Sequence, residues 1–362
     1  MASNSFGNLF RITTWGESHG LGIGVVIDGC PAGLPITDGE VNDALALRAP
    51  GKSPYTSPRK EPDEGRFFSG VFEGVTTGAP LSFVIMNSDA DSTKYEPIKN
   101  LMRPGHANYT YLEKYGVFDY RGGGRSSARE TACRVAGGAV ARKLLAHYGV
   151  SIGAYIQQIG DVKADVQVDD LAALHEQTYA DPAFCPEPIA AAQMGEALAK
   201  AKDDGDSLGG VVEFVAHGLP VGLGDPVYEK LEANLAKAMM GLPASKGFEI
   251  GEGFDAAQMT GSAHNDAFVE GADEISDTNH AGGTLGGIST GQALVGRVAF
   301  KPTSSITKPQ QTVDTEGKAQ TFNLPKGSRH DPCVAIRAVP VVEAMLAIAL
   351  ADALLMNRSS RL

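Results

Sequence analysis

The stretch from Tyr120 to Thr131, with the helix predicted after it, constrains this chain more than any other part of the sequence. Three consecutive glycines, Gly122 to Gly124, allow positive φ angles and let the backbone approach a ligand closely. Ser127 followed three residues later by Glu130 is a capping box, which predicts that a helix begins there. Apolar residues at helical spacing continue the pattern until Gly149. The sequence therefore predicts a glycine-rich turn that leads into a buried helix.

The predicted start of this helix is rich in groups that bind anions. Backbone N–H groups at a helix N-terminus lack intrahelical partners and attract negative charge. The side chains that join them are Arg121, Arg125, Ser126, Ser127 and Arg129. A solvated loop that caps an ordinary core helix is the alternative. However, residues 120–143 carry six Lys/Arg and one acid, whereas the whole chain has a formal net charge of −12. This contrast favours a phosphate or carboxylate site, although no Gly-Lys-Ser/Thr follows the glycines as in a P-loop.

Composition indicates a soluble globular protein, because 43% of the residues are hydrophobic and 20% are charged. An acidic chain without a dominant basic face argues against nucleic acid. The four cysteines are scattered and lack metal-ligand spacing, so we expect reduced thiols, a cytoplasmic location and no metal site. The first residues lack the pattern of a signal peptide. Pro340, Glu343 and Asp352 interrupt the apolar run Val339–Met356, which therefore predicts a buried helix and no membrane span.

The order of predicted elements indicates an α+β fold. Strands and helices do not alternate in regular βαβ units, so we expect mostly antiparallel sheet. The predicted strands are 9–14, 22–28, 67–72, 81–86, 152–159, 211–216 and 294–300, and the predicted helices are 37–48, 109–115, 127–149, 169–202, 228–240 and 339–356. Residues 49–65 and 314–327 are predicted as loops. No repeat or shift in composition marks a border, so we expect one domain over residues 1–362.

A GxSxG pattern at residues 16–20 supports a second interpretation, a serine hydrolase with Ser18 as nucleophile. That motif requires a helix directly after the turn, whereas the residues that follow here are glycines and β-branched residues. His19 is a titratable ring among glycines that can reach a ligand, or else a histidine hydrogen-bonded in a tight turn. Residues 251–256 match the loose dinucleotide pattern, but two acidic residues in it would repel a pyrophosphate.

Four further segments carry polar groups suited to a site. His106 follows Arg103 in a loop, and residues 280–287 form a second glycine-rich loop. Residues 301–305 offer an ammonium and hydroxyls at a strand end, which suits a phosphate. Residues 329–332 offer a cation, a ring and a carboxylate before the last helix. A polar turn explains each segment alone, whereas their accumulation favours a functional site.

With these segments in view, the sequence resembles the chorismate synthase family. The signatures that carry the resemblance are residues 16–31, 124–132 and 329–337, and the segments around His106, His280 and Lys301 also fit. The resemblance extends from about Gly7 to the last helix. It implies a single α+β domain in which helices are layered against mostly antiparallel sheets, assembled as a homotetramer.

The resemblance also implies an enzyme, a carbon–oxygen lyase acting on a phosphate. Such an enzyme converts 5-enolpyruvylshikimate 3-phosphate into chorismate by anti-1,4-elimination of phosphate and a ring proton, the last step of the shikimate pathway. Reduced FMN is required without net redox change, and NADPH is expected only as an external source of reductant, because the sequence has no dinucleotide-binding pattern that fits. An arginine-dense pocket suits a substrate with one phosphate and two carboxylates.

Residue by residue, the resemblance implies three sets of functional groups. The proton-handling residues would be His19, His106 and Asp331. The substrate would be held by Arg48, Arg103, Ser127, Arg129 and Arg329. The FMN contacts would be Arg125, Ser126, Ser127, Ala244, Gly286, Lys301, Pro302, Thr303, Ser304, Ser305 and Arg329. Two positions depart from the family pattern, since Pro54 replaces a frequent Arg and Pro243 replaces an Asn. A serine hydrolase and a non-catalytic flavin-binding protein are the two alternatives.

Overall fold

The computed structural model describes residues 3–49, 51, 55, 63–87, 93–270, 275–325 and 331–361. The α-helices in these ranges are α1 Asp38–Arg48, α2 Asn108–Tyr115, α3 Thr131–His147, α4 Leu171–Ala180, α5 Pro188–Asp203, α6 Leu231–Met240, α7 Gly261–His264 and α8 Ala335–Asn357. The strands are β1 Ser5–Phe6, β2 Arg11–Gly16, β3 Gly22–Asp28, β4 Gly65–Ser69, β5 Val71–Phe72, β6 Val75–Thr76, β7 Leu81–Met86, β8 Ser151–Ile159, β9 Val162–Lys163, β10 Gly210–His217, β11 Ser245–Ile250, β12 Thr284–Leu285, β13 Ile288–Ser289, β14 Leu294–Phe300, β15 Gln310–Val313 and β16 Ala319–Phe322.

Two five-stranded antiparallel sheets form the frame of the fold. The first has the order β1-β2-β3-β7-β4 and the second has the order β11-β14-β10-β8-β9. Helix α3 contacts strands of both sheets, and α8 packs on α3 and on the second sheet. This layered arrangement of helices and antiparallel sheets confirms the predicted α+β fold.

Helix α8 lies in the core, as predicted for the apolar run near the C-terminus. By length and composition it could cross a membrane, but 83% of its most apolar window is buried inside the fold. It packs closely on α3, since a Cβ on Gly138 would lie only 2.4 Å from the Cβ of Ala344. That close approach fixes α3, and with it the glycine-rich turn at its N-terminal end.

Several predictions of secondary structure are wrong in detail. The predicted strand 67–72 is two strands, β4 and β5, which belong to different sheets. The helical region 169–202 is two helices, because Glu187 caps a new helix that starts at Pro188. The predicted loop 314–327 contains β16, which pairs with β15. The helix predicted from Ser127 begins only at Thr131, after two short 3₁₀ turns.

Candidate active site

The capping box predicted at Ser127 does not form. Ser127 instead caps a 3₁₀ turn by accepting a hydrogen bond from the Arg129 N–H at 3.4 Å. The Glu130 carboxylate accepts from the Thr14 hydroxyl at 2.8 Å and from Arg134 Nε at 2.9 Å. The Glu130 carboxylate therefore binds Thr14 and Arg134 and does not form the helix cap that the local sequence pattern predicts.

Two histidines lie against the glycine run that precedes this turn. Gly122 and Gly123 have φ angles of +65° and +87°, which glycine adopts without strain. A Cβ on Gly122 would lie 2.3 Å from His19 Cδ2, and a Cβ on Gly123 would lie 3.4 Å from His106 Cε1. The ring of Tyr95 meets the His19 ring edge-on, with a centroid distance of 5.3 Å. The absence of a Cβ at Gly122 is therefore needed for the His19 ring to approach the backbone, whereas at Gly123 the positive φ is what favours glycine.

His106 is surrounded by positive charge. Burial, followed by the charges of Arg103 and Lys301, lowers the pKa of His106 to about 3. Lys301 Nζ donates to the Gly105 carbonyl at 2.8 Å, and Arg103 Nη2 donates to the Ser305 hydroxyl at 3.0 Å. The segments around Arg103 and Lys301, about 200 residues apart in sequence, thus form one cationic pocket. The His106 imidazole in this pocket is neutral at physiological pH.

A carboxylate that the sequence analysis missed lies between two of the predicted substrate-binding arginines. The side chain of Asp63 is fully buried, and its two oxygens accept hydrogen bonds from Arg48 Nη1 and Arg129 Nη1. Arg48 Nε also donates to the Thr131 hydroxyl at 2.9 Å, and Arg129 Nε donates to Asn87 Oδ1 at 3.1 Å. Asp63 lies near the end of the predicted loop 49–65, which has no periodicity, and no signal in the sequence singles it out.

Asp331 lies close to this cluster. Its carboxylate pairs with Arg337 at 3.4 Å, and both residues line a cavity of about 60 Å³ together with Arg48. Val334 occupies the N-cap position of α8, so Asp331 does not cap that helix. Arg329 and Pro54 lie outside the described residues.

Arg125 is held by the end of β2. Its guanidinium donates to the Gly16 carbonyl at 3.2 Å and to the Thr14 hydroxyl at 2.9 Å. Next to it is a cavity of about 1070 Å³, whose lining includes Arg125, Ser126, Ser127 and Pro243. This space is large enough for a cofactor.

The remaining predicted flavin contacts divide into two groups. The Lys301 N–H donates to the Ala244 carbonyl at 3.0 Å, so Ala244 and the segment from Lys301 to Ser305 are neighbours. Gly286 is exposed in the hairpin between β12 and β13. Its neighbour Gly283 packs on Leu294, at the opposite end of β14 from Lys301, and a seven-residue strand spans about 20 Å. Within one chain, Gly286 therefore lies away from the cationic pocket formed by Arg103, His106 and Lys301.

The hydrolase interpretation of Ser18 is wrong. Strand β3 follows the turn where a nucleophile elbow requires a helix. In the part of the chain that the structure describes, Ser18 Oγ is buried without a hydrogen-bond partner. It faces Gly122, since a Cβ there would lie 2.7 Å from the hydroxyl oxygen.

Comparisons with known proteins identify the family of this chain. The family model described as chorismate synthase matches residues 10–355. The chain belongs to the chorismate synthase family. Chorismate synthase of Protochlamydia amoebophila is 57% identical over 367 residues, covering all of both chains. That of Methanosarcina mazei is 50% identical over 357 residues, covering 98% of this chain and 97% of the relative. A chorismate synthase crystal structure superposes with a TM-score of 0.76 at 31% identity, covering 97% of this chain and 93% of the other.

Proposed function

We propose that this protein catalyses the chorismate synthase reaction, the loss of phosphate and a ring proton from 5-enolpyruvylshikimate 3-phosphate by anti-1,4-elimination. The observation that carries the proposal is the pocket in which Arg103 and Lys301 lie beside a neutral, half-buried His106. A cationic pocket with a titratable ring suits a leaving phosphate, because the same groups bind the anion and protonate it. Formation of chorismate makes this the last step of the shikimate pathway.

The pocket also suits reduced FMN. Among the described residues, the polar atoms buried without a hydrogen-bond partner include Ser18 Oγ, His106 Nδ1 and Thr303 Oγ1, each in or beside a predicted site segment. Buried polar atoms of this kind are usually satisfied by a ligand or by ordered water. We propose that the segment 301–305, Ala244 and the turn 125–127 hold the flavin, with Arg329 and Gly286 as the further contacts that the family implies. When bound, reduced FMN supplies the electron density needed to expel phosphate while a weakly acidic C–H bond breaks, and recovers it afterwards.

The residues of the chain bind, orient and move protons. Arg48, Arg103 and Arg129 would hold the anionic groups of the substrate, with Ser127 and Arg329 completing that set. The bound phosphate dianion would raise the pKa of His106, because an opposite charge favours the protonated ring, and the ring can then donate a proton to the leaving group. His19 and Asp331 would handle the other protons of the reaction.

We further propose a cytoplasmic homotetramer that receives reductant from NADPH through another protein, with no nucleic acid or membrane as a partner. The support for a reducing compartment is that Cys30, Cys133, Cys185 and Cys333 are all free and buried. The support for assembly from several chains is the separation of Gly286 from Lys301 along β14. Sedimentation of the FMN-loaded protein tests the tetramer directly.

An anaerobic assay tests the activity. Chorismate should accumulate only when reduced FMN and the phosphorylated substrate are both present, and the flavin should remain reduced. His106→Gln should slow turnover by roughly 10²–10⁴-fold, the usual contribution of a general acid. His175→Gln is the matched control, because burial also lowers the pKa of His175 on α4, away from the pocket. Stoichiometric oxidation of the flavin, or equal rates in the two variants, would refute the proposal.

A further inference from the structure

Asp63 joins two elements that are far apart in sequence. Arg48 lies in the last turn of α1, and Arg129 lies in the 3₁₀ turn before α3. Each guanidinium donates through its Nη1 to a different oxygen of the Asp63 carboxylate. The side chain of Asp63 is 0% exposed, and those of Arg48 and Arg129 are 3% and 5% exposed. The three groups therefore form a buried cluster with one negative and two positive charges.

Other polar groups hold the remaining edges of the two arginines. Arg48 Nε donates to the Thr131 hydroxyl and Arg48 Nη2 donates to the Ala128 carbonyl, both at 2.9 Å. Arg129 Nε donates to Asn87 Oδ1 at 3.1 Å. Since a guanidinium is planar, contacts on two or more of its edges fix both its position and its orientation.

The electrostatics argue that the carboxylate serves more than stability. Burial alone would raise the pKa of Asp63, but the charges of Arg48 and Arg129 hold it below its usual value. Burial lowers the pKa of Arg48 to about 10, with Asp63 opposing this effect and Arg337 and Arg129 adding to it. A buried ion pair is a weak source of folding stability, because desolvation offsets much of the attraction. A role in arranging the two cations is the more consistent explanation.

We propose that Asp63 is a positioning residue that holds Arg48 and Arg129 in one fixed arrangement for the anionic groups of the substrate. This inference rests on the proposed function, in which both arginines bind the phosphorylated substrate. Preorganised cations bind an anion without first losing side-chain freedom, and loss of the carboxylate removes a charge-assisted hydrogen bond from each guanidinium.

Two possible roles of Asp63 predict opposite changes in the affinity for an anion when its charge is removed. If Asp63 acted only through its negative charge, neutralising it would remove the repulsion between the carboxylate and a bound anion. The anion would then bind more tightly. If it positions the arginines, the same substitution leaves two buried, repelling cations without the negative charge between them, and the amide oxygen can accept from only one of them. The arrangement is then lost and binding weakens.

The experiment compares Asp63→Asn with Asp352→Asn. Asp352 is also a buried carboxylate, but it binds backbone N–H groups of residues 8–10 on another part of the fold. Calorimetry on the full chain without flavin would measure the dissociation constants of 5-enolpyruvylshikimate 3-phosphate and of inorganic phosphate. We expect Asp63→Asn to raise the constant for the substrate by about tenfold or more and to raise KM with little change in kcat. Asp352→Asn should leave the dissociation constant for the substrate and KM unchanged.

The outcomes separate this inference from the proposed function. If the wild-type protein binds the substrate but does not turn it over with reduced FMN, the proposed function fails, and the binding constants of the variants still decide the role of Asp63. Unchanged or tighter binding in Asp63→Asn overturns the inference. Failure of the wild-type protein to bind either anion overturns both.

A second pair of variants covers the case in which Asp63→Asn does not fold. Thr131→Val removes the hydroxyl that holds Arg48 Nε, whereas Thr131→Ser retains it. We expect Thr131→Val to raise the dissociation constant for the substrate several-fold and Thr131→Ser to keep the affinity of the wild-type protein. Equal affinities of the Val and Ser variants would contradict the positioning of these arginines by their buried partners.

Discussion

His106 has a strongly lowered pKa in the folded protein. The pKa of His106 in the folded protein is about 3, below the ordinary value of 6.5. Burial and the charges of Arg103 and Lys301 lower it, because they disfavour the imidazolium. Between these two pH values the unfolded chain binds a proton that the folded chain does not. The contribution of His106 to stability is therefore complete above pH 6.5 and is lost as the pH falls towards 3.

We expect the free energy of unfolding to fall more steeply between pH 7 and pH 5 in the wild-type protein than in His106→Gln. The difference should be about 1 kcal/mol, after allowance for the partial exposure of the ring. Urea unfolding at both pH values measures it. Parallel pH profiles would show that the ring titrates normally in the folded protein.

Asp331 offers a second prediction at the scale of one residue. It lies outside the helix cap, so Asp331→Asn should not impair the start of α8. The substitution removes a proton acceptor and weakens the pair with Arg337. If Asp331 takes part in proton transfer, the single-turnover rate should fall by roughly 10²-fold while the affinities for substrate and FMN survive. An unchanged rate would exclude the carboxylate from the chemistry.

At the scale of elements, the glycine-rich turn explains why two histidines meet the backbone. A side chain at Gly122 would collide with His19 and Ser18, whereas a Cβ on Gly116 would have no described atom within 4 Å. Both glycines have positive φ, +65° and +70°. Alanine at either position therefore incurs a similar backbone strain of about 1 kcal/mol.

We predict that Gly122→Ala displaces the His19 ring and lowers turnover at least tenfold, as expected when a proton-handling group is misplaced. Gly116→Ala should lose similar stability and keep its turnover. The NMR signals of the His19 ring, compared in the two variants, would show the displacement directly. Equal turnover in the two variants would mean that the contact between Gly122 and His19 is not needed.

Periodicity and capping predicted most elements of the fold. The helix predicted over residues 37–48 forms, with a capping box of Thr37 and Glu40, and β3 and β14 have the predicted limits. The box of Ser127 and Glu130 fails, because Thr14 and Arg134 compete for the glutamate. Local pattern cannot reveal a competitor that comes from a distant strand.

The same limit applies to the site. The resemblance to the family identified His106 and its neighbours Arg103 and Lys301, and the structure brings these residues together. Asp63 was missed because an isolated aspartate within an irregular loop carries no local signal. Its importance arises only when α1 and the turn before α3 bring two arginines to it.

At the scale of the whole molecule, one carboxylate ties the two ends of the chain together. Asp352 in α8 is 6% exposed and accepts backbone hydrogen bonds from Asn8, Leu9 and Phe10 at 2.9, 2.7 and 3.0 Å. These residues lead into β2, the strand that carries Thr14 and Gly16 to Arg125. The interpretation of residues 1–362 as one domain stays a prediction, and this contact gives it a test.

We expect Asp352→Asn to lower the free energy of unfolding by about 2–3 kcal/mol, because an amide replaces one of two charged acceptors and turns a donor towards backbone N–H groups. If the chain is one cooperative unit, the whole urea transition should move to lower concentration with an unchanged slope. Asp28→Asn, exposed at the end of β3, removes the same charge and should leave the midpoint nearly unchanged. A separate early transition in Asp352→Asn, detected by Trp15 fluorescence on β2 before the loss of helical circular dichroism, would instead show that the first sheet unfolds on its own.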